Sequence, residues 1–178
     1  MDGTLVVMRG KELKGYSRER ALRRRIEIDS QRYLEAPISE WPPIVFNWDL
    51  SRESQRFSKD CVSSEEFYKS YPEGFCLGSV GLADFDQRLC YFSQRKDREL
   101  WAIGDPFKLA YLIVYLSEGR PISPPFVRPL SNREIVIEGG HHRYAVAKAI
   151  GETEIPVYVT PRHKRDLDTL LSVTWIQS

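Results

Sequence analysis

Residues 137–151 read I-E-G-G-H-H-R-Y-A-V-A-K-A-I-G: the end of an apolar run, two glycines, two histidines and an arginine, then an alanine-rich stretch closed by another glycine. The spacing predicts a strand that turns on Gly139 and Gly140 into a helix over residues 141–150. Such a turn aims several backbone N–H groups at one point, and glycine lets a ligand approach because no Cβ stands in the way. The helix dipole adds partial positive charge, so the natural guest is phosphate or another anion. His141, His142 and Arg143 then fill the first three helical positions, where Asp and Glu are preferred and a cation costs about 0.3–1 kcal/mol. A bound anion offsets that cost. Arg143 suits bidentate phosphate contacts, and either histidine can act as general base or acid near neutral pH.

Two of these residues have a plainer alternative. His142 shares a helical face with Val146, Ala149 and Ile150, which equally fits a hydrogen-bonded, mostly buried histidine. Glu138 can hold Mg²⁺ against a bound phosphate, or it can face solvent and pair with Arg133. Lys148 lies past the first turn and reads as a surface residue.

The elements around the turn are legible from their punctuation. Asp105–Pro106 is an N-cap followed by proline at the first helical position, predicting a helix to about Glu118 that stops at Gly119. A proline-rich turn over 120–125 precedes strands near 126–128 and 134–137, and residues 155–159 make a last strand. The order is helix, strand, strand, glycine turn, helix, strand, an α/β layer with a small mixed sheet and flanking helices.

The first hundred residues are less patterned. Thr4–Met8 reads as a short strand, and Ser17 as the cap of a surface helix running to Arg25. That helix carries Arg18, Arg20, Arg23, Arg24 and Arg25, either a solvated face or an arm contacting the DNA backbone without reading its sequence. Prolines 37, 42 and 43 rigidify a loop that leaves into a strand over 44–48. Ser63 with Glu66 is a capping box for a short helix ending near Tyr71–Pro72. The glycines between 74 and 81 imply tight turns. Residues 84–98 give no clear period. No internal repeat or low-complexity linker divides the 178 residues, which read as one domain.

Bulk properties exclude several classes. With 26 basic and 25 acidic side chains, net charge cannot argue for nucleic acid, so any such case rests on local patches. Cys61, Cys76 and Cys90 are an odd number at wide spacing, against both a disulfide framework and a zinc site. The longest apolar run, 107–116, contains Lys108 and is too short to span a bilayer. The expectation is a cytoplasmic protein with no membrane insertion.

The segment G-G-H-H-R-Y resembles the sulfiredoxin signature, with Gly139, Gly140, His142, Arg143 and Tyr144 matching and His141 where a catalytic cysteine stands. It is also similar to the ParB box, with Gly140, Arg143, Ala147 and Gly151 matching and His141 in place of a glutamate. The resemblance to the ParB/sulfiredoxin superfamily covers residues 101–160, leaving 1–100 as a particular N-terminal part and 161–178 as a C-terminal extension. It implies a compact ParB/sulfiredoxin-like fold. Lacking the motif cysteine, the chain has no nucleophile for sulfinic acid reduction. Lacking the glutamate and a following helix-turn-helix, it departs from partition clamps. Within the superfamily it looks like the oncogenic-suppression type of plasmid fertility-inhibition protein.

That resemblance implies an ATPase and DNase that binds ATP or another nucleoside triphosphate, with Mg²⁺, and inhibits a conjugative transfer machine. His141, His142, Arg143 and Glu138 would be catalytic, Gly139, Gly140, His141 and Arg143 would bind phosphate, and Glu138 would hold the metal. The alternative is a non-catalytic inhibitor that keeps the anion site as a ligand switch. It would dock through the aromatic and arginine residues of 85–101.

Overall fold

The computed structural model describes residues 3–59, 62–96 and 99–177, and their side chains from residue 17 onward. It is a mixed α/β structure built on a five-stranded sheet. The strands are β2 (Cys76–Gly81), β4 (Phe126–Pro129), β5 (Ile135–Gly139), β6 (Glu154–Val159) and β7 (Val173–Ile176), in the order β5-β4-β6-β2-β7. Only β4 and β6 run parallel. A separate two-residue parallel pair joins β1 (Asn47–Trp48) to β3 (Pro121–Ile122).

Alternation along the strands divides the core between the two faces of the sheet. Val80, Val127, Ile155, Val157 and Val159 point to one face. There they meet Leu82 and Phe85 of α3 (Leu82–Arg88), Tyr144 and Ala147 of α5 (His141–Ala149), and Leu167 of α6 (Lys164–Asp168). Leu77, Phe126 and Tyr158 point to the other face and pack on Phe67 of α2 (Ser64–Ser70) and on Phe75. A third cluster seats α4 (Pro106–Ser117) against α5 through Leu109, Ile113, Leu116 and Val146, closed by Trp41.

The predicted caps form. Asp105 accepts from the backbone N–H groups of Phe107 and Lys108, and α4 ends before Gly119 at φ 68°. Ser63 and Glu66 complete a capping box on α2.

Four readings are corrected. Thr4–Met8 is not a strand, and Ser17 caps nothing, because one helix, α1, spans Gly3–Ser30. The predicted strand over 44–48 keeps only β1. Residues 76–81 are not turns but β2, which lies between β6 and β7. Finally, residues 155–159 are not the last strand, since β7 adds an edge beyond β2 and Leu171 completes the core beside it. Cys76 and Cys90 are free thiols, and Cys61 lies outside the described residues. Among the described residues no helix is long and apolar enough to cross a membrane.

Candidate functional site

The predicted turn forms where the sequence placed it. β5 ends at Gly139, and Gly140 sits in the left-handed region at φ 94° as the N-cap of α5. Both glycines are needed. A Cβ on Gly139 would stand 1.9 Å from the carbonyl oxygen of Ser58, and one on Gly140 would stand 2.9 Å from Cα of Pro125. Two loops therefore press against the turn, one from the 3₁₀ segment Arg52–Ser58 and one from the prolines before β4. Gly140 has no side chain to cap α5, and among the described residues no other side chain bonds its first amides.

Arg143 reaches back to both loops. Its Nη1 donates to the carbonyls of Ser123 (3.1 Å) and Pro124 (3.2 Å) and to Ser123 Oγ (3.0 Å), and its Nη2 donates to the carbonyl of Phe57 (2.9 Å). The guanidinium ties both loops to α5. In these contacts Arg143 acts as a brace on the turn.

Glu138 pairs with Arg128 on the neighbouring strand rather than with Arg133, and Lys59 Nζ lies 3.7 Å from its other oxygen. One carboxylate between two cations is a poor ligand for Mg²⁺, which takes carboxylates with several waters or phosphate oxygens. Among the described residues no group of three or more His, Cys, Asp or Glu side chains could hold a metal. The donor set does not fit a protein-held metal at Glu138.

The histidines keep their expected place. Both are half-buried at the start of α5. Burial, then the Arg95 guanidinium and the neighbouring His142, push His141 below the usual imidazole range. His142 is pushed the same way by burial and Arg95, against a smaller opposing pull from Asp105. Its Nε2 is buried without a hydrogen-bond partner and lies over Gly104, where a Cβ would come within 3.0 Å. Both imidazoles are held neutral at pH 7, the form that accepts a proton.

Sequence reasoning missed Arg95. Only 7% exposed, it donates through Nη1 to the carbonyls of Gln94 (2.8 Å) and Phe92 (3.4 Å). Among the described residues no carboxylate forms an ion pair with it. It reaches the site because its loop follows the edge of β5. Leu89 bridges Ile135 in parallel, the N–H of Cys90 donates to the Ile135 carbonyl, and Ser93 Oγ accepts the N–H of Ile137 at 2.9 Å. The same direction carries Arg95 toward the end of β5 and the start of α5. Burying a guanidinium costs free energy that a nearby anion offsets.

Behind this cluster, Asp86 is neutralised. Its carboxylate accepts from Tyr144 Oη and from Lys148 Nζ at 2.9 and 3.0 Å, and Lys148 also donates to the Arg95 carbonyl at 2.7 Å. Lys148 is thus a strut between α3, α5 and the Arg95 loop, not a free surface residue. Burial, then the Asp86 carboxylate, hold the Tyr144 phenol well above its usual range.

The basic helix divides. Arg25 is engaged, forming a bidentate pair with Glu118 (2.6 and 2.9 Å) and a third contact with Asp29. Arg23 lies 3.7 Å from Glu19. Arg18, Arg20 and Arg24 are exposed. Within the segment expected to dock a partner, Phe85, Leu89 and Cys90 are core residues, whereas Tyr91 and Phe92 are 75% and 81% exposed. Residues 97 and 98 of that segment lie outside the described residues.

No family model matches the sequence, and no curated protein or solved structure is significantly similar to it.

Proposed function

We propose that the protein binds the phosphates of a nucleoside triphosphate such as ATP at the amino end of α5 and hydrolyses them, with DNA cutting at the same place. The single observation that carries this reading is a buried guanidinium grouped with two half-buried histidines at the amino end of a helix. The uncapped amides of α5 stand beside His141 and His142, with buried Arg95 next to them. The amides and Arg95 would stabilise charge developing on phosphate oxygens. Neutral His141 would take the proton of the attacking water. Arg143 would hold the turn in shape without touching phosphate. No step is assigned to Glu138.

The ParB/sulfiredoxin assignment belongs to the same proposal, supported by the motif, by the strand–glycine turn–helix that carries it and by the mixed sheet. So does the role as a cytoplasmic inhibitor of conjugative DNA transfer, in which exposed Arg18, Arg20 and Arg24 would hold the DNA backbone.

A second reading has an observation of its own. Arg143 and Glu138, two of the chemical candidates in the sequence, are both engaged in structural contacts. That favours a non-catalytic inhibitor that keeps the anion site as a switch. Phosphate release by purified His141→Ala decides between them. A fall of about 10²–10⁴-fold with ATP binding retained supports hydrolysis. Release that is equal in wild type and variant, or that vanishes on further purification, refutes it.

A further inference from the structure

Beside the cationic cluster, the outer side of the loop that carries Arg95 has a cavity of about 140 Å³ lined by Tyr91, Phe92, Gln94, Lys96, Glu99 and Ile103. We propose that this cavity seats the flat ring of a nucleobase, so that the ligand is a nucleoside phosphate and not a bare phosphate. The inference rests on the phosphate reading of the α5 amino end and adds to it the place where the base is held.

Three observations carry it. The first is the exposed aromatic pair. Tyr91 and Phe92 meet edge to face at 5.7 Å between ring centroids, yet both keep most of their surface in water. Their neighbours Leu89 and Cys90 are buried, so the loop has turned two rings outward by construction. Every base has a π-face, and stacking on such rings is tolerant of base identity.

The second is size and polarity. Pockets for whole drug-sized ligands run from about 300 to 1,000 Å³, so this one fits a single ring system with the rest of the ligand outside. Gln94, Lys96 and Glu99 line it with the donors and acceptors that the edge of a base requires. The Lys96 N–H donates to the Glu99 carboxylate at 2.9 Å.

The third is connection to the phosphate site. Arg95 donates to the carbonyls of Phe92 and Gln94, two cavity residues, while its charge acts on His141 and His142. Ile103, on the cavity wall, precedes Gly104, which lies under His142 Nε2. Arg95 thus neighbours both the cavity residues and the two histidines, and a ligand spanning the two places would meet it.

A base can belong to a free nucleotide or to a single DNA strand, and calorimetry on the whole chain separates these sources. Wild type and Phe92→Ala are titrated with ATP, adenosine, inorganic tripolyphosphate and a short single-stranded oligodeoxynucleotide. Phe92 is so exposed that its removal leaves the fold intact. The expected result is ATP binding weakened about 5- to 150-fold, the range for one stacked base, with tripolyphosphate unchanged. A loss confined to the oligonucleotide upholds the base site and assigns it to a strand. Unchanged affinity for ATP and the oligonucleotide alike, or an equal loss for tripolyphosphate, overturns the proposal. Adenosine bound where tripolyphosphate is not would keep the base site and refute the phosphate reading. Tripolyphosphate bound as tightly as ATP by the wild type would keep the phosphate reading and refute the base site.

Discussion

Arg143→Ala is the substitution that most directly separates a brace from a ligand contact. To described residues the guanidinium donates four bonds of 2.9–3.2 Å, three of them to backbone carbonyls at Phe57, Ser123 and Pro124. Ser123 and Pro124 are buried, so their carbonyls lose a charged donor that water replaces poorly; Phe57 is exposed and recovers one from solvent. An unsatisfied buried acceptor costs roughly 1–3 kcal/mol. Two of them, with partial relief at the third, put the expected loss at about 2–5 kcal/mol of unfolding free energy. Urea unfolding measures it, provided the denaturant slope matches wild type so that the same surface is compared. Arg143→Lys should recover little, because an ammonium cannot span both loops as the planar fork does. A change below about 0.5 kcal/mol, the level of an ordinary surface substitution, would refute the brace. So would a variant of undiminished stability that no longer binds ATP, since Arg143 would then act on phosphate.

Four further outcomes follow from the same geometry. Because burial and Arg95 lower the folded-state affinity of His141 for protons, the unfolded chain binds more protons below the ordinary imidazole value of about 6.5. Stability without ligand should therefore fall as pH drops through that value, and His141→Asn should flatten the fall in thermal melts. ATP should bind more tightly over the same drop in pH, as an anion favours protonated imidazole; affinity that is level in pH would tell against contact with the histidines. Glu118 is held down at about 2 chiefly by its Arg25 hydrogen bond, so its contribution is present above the ordinary carboxyl value and lost as pH falls toward 2. Glu118→Gln should cost no more than about 1 kcal/mol at neutral pH, given how open the pair is. Replacing Arg18, Arg20 and Arg24 should lower the salt slope of DNA binding by about 0.7–0.9 for each phosphate no longer neutralised, whereas Arg25→Ala should leave it unchanged; equal effects would mean that Arg25 exchanges Glu118 for phosphate.

What the sequence made legible was local punctuation. Asp105–Pro106, Gly119, Ser63 with Glu66 and the Gly139–Gly140 turn act over three or four residues, and each sits where its chemistry requires. What it hid was set by partners far along the chain. Gly78 reads as a turn residue, but it is a flat place in β2 across which Val173 and Trp175 pack; a Cβ there would stand 2.5 Å from Val173 Cγ1. Its reason lies in β7, four residues near the end of the chain with too little length to show a period. Ser17 looked like a cap because α1 is polar nearly all round, and without an apolar stripe nothing in the sequence marks where such a helix begins. Arg143 and Glu138 were assigned chemistry from residue type. Among their described partners are Phe57, 86 residues away, and Arg128, which only strand register brings alongside. Arg95 left no signal at all. A lone arginine in an aperiodic stretch becomes notable only once its burial is known.

The loop from Leu89 to Arg95 links fold and site in one stretch of chain. β5 is an edge strand, and an open edge is a liability because its unpaired N–H and C=O groups recruit other strands. Here the edge is covered by the Leu89–Ile135 bridge, the Cys90 N–H and the Ser93 hydroxyl, which accepts the N–H of Ile137. That cover sets the height at which the loop runs and so places Arg95 beside the start of α5. Lys148 then fixes it by donating to the Arg95 carbonyl while neutralising Asp86. Positioning a buried cation therefore needs no dedicated element; it follows from protecting the strand that leads into the glycine turn. Ser93→Ala should accordingly do two things at once. It leaves the buried N–H of Ile137 unpaired, at a cost of about 1–3 kcal/mol, and it loosens Arg95 without touching any ligand. Hydrogen exchange at Ile137 should accelerate, and affinity for tripolyphosphate should fall with it. Faster exchange with wild-type affinity would show that the edge and the cationic cluster are independent.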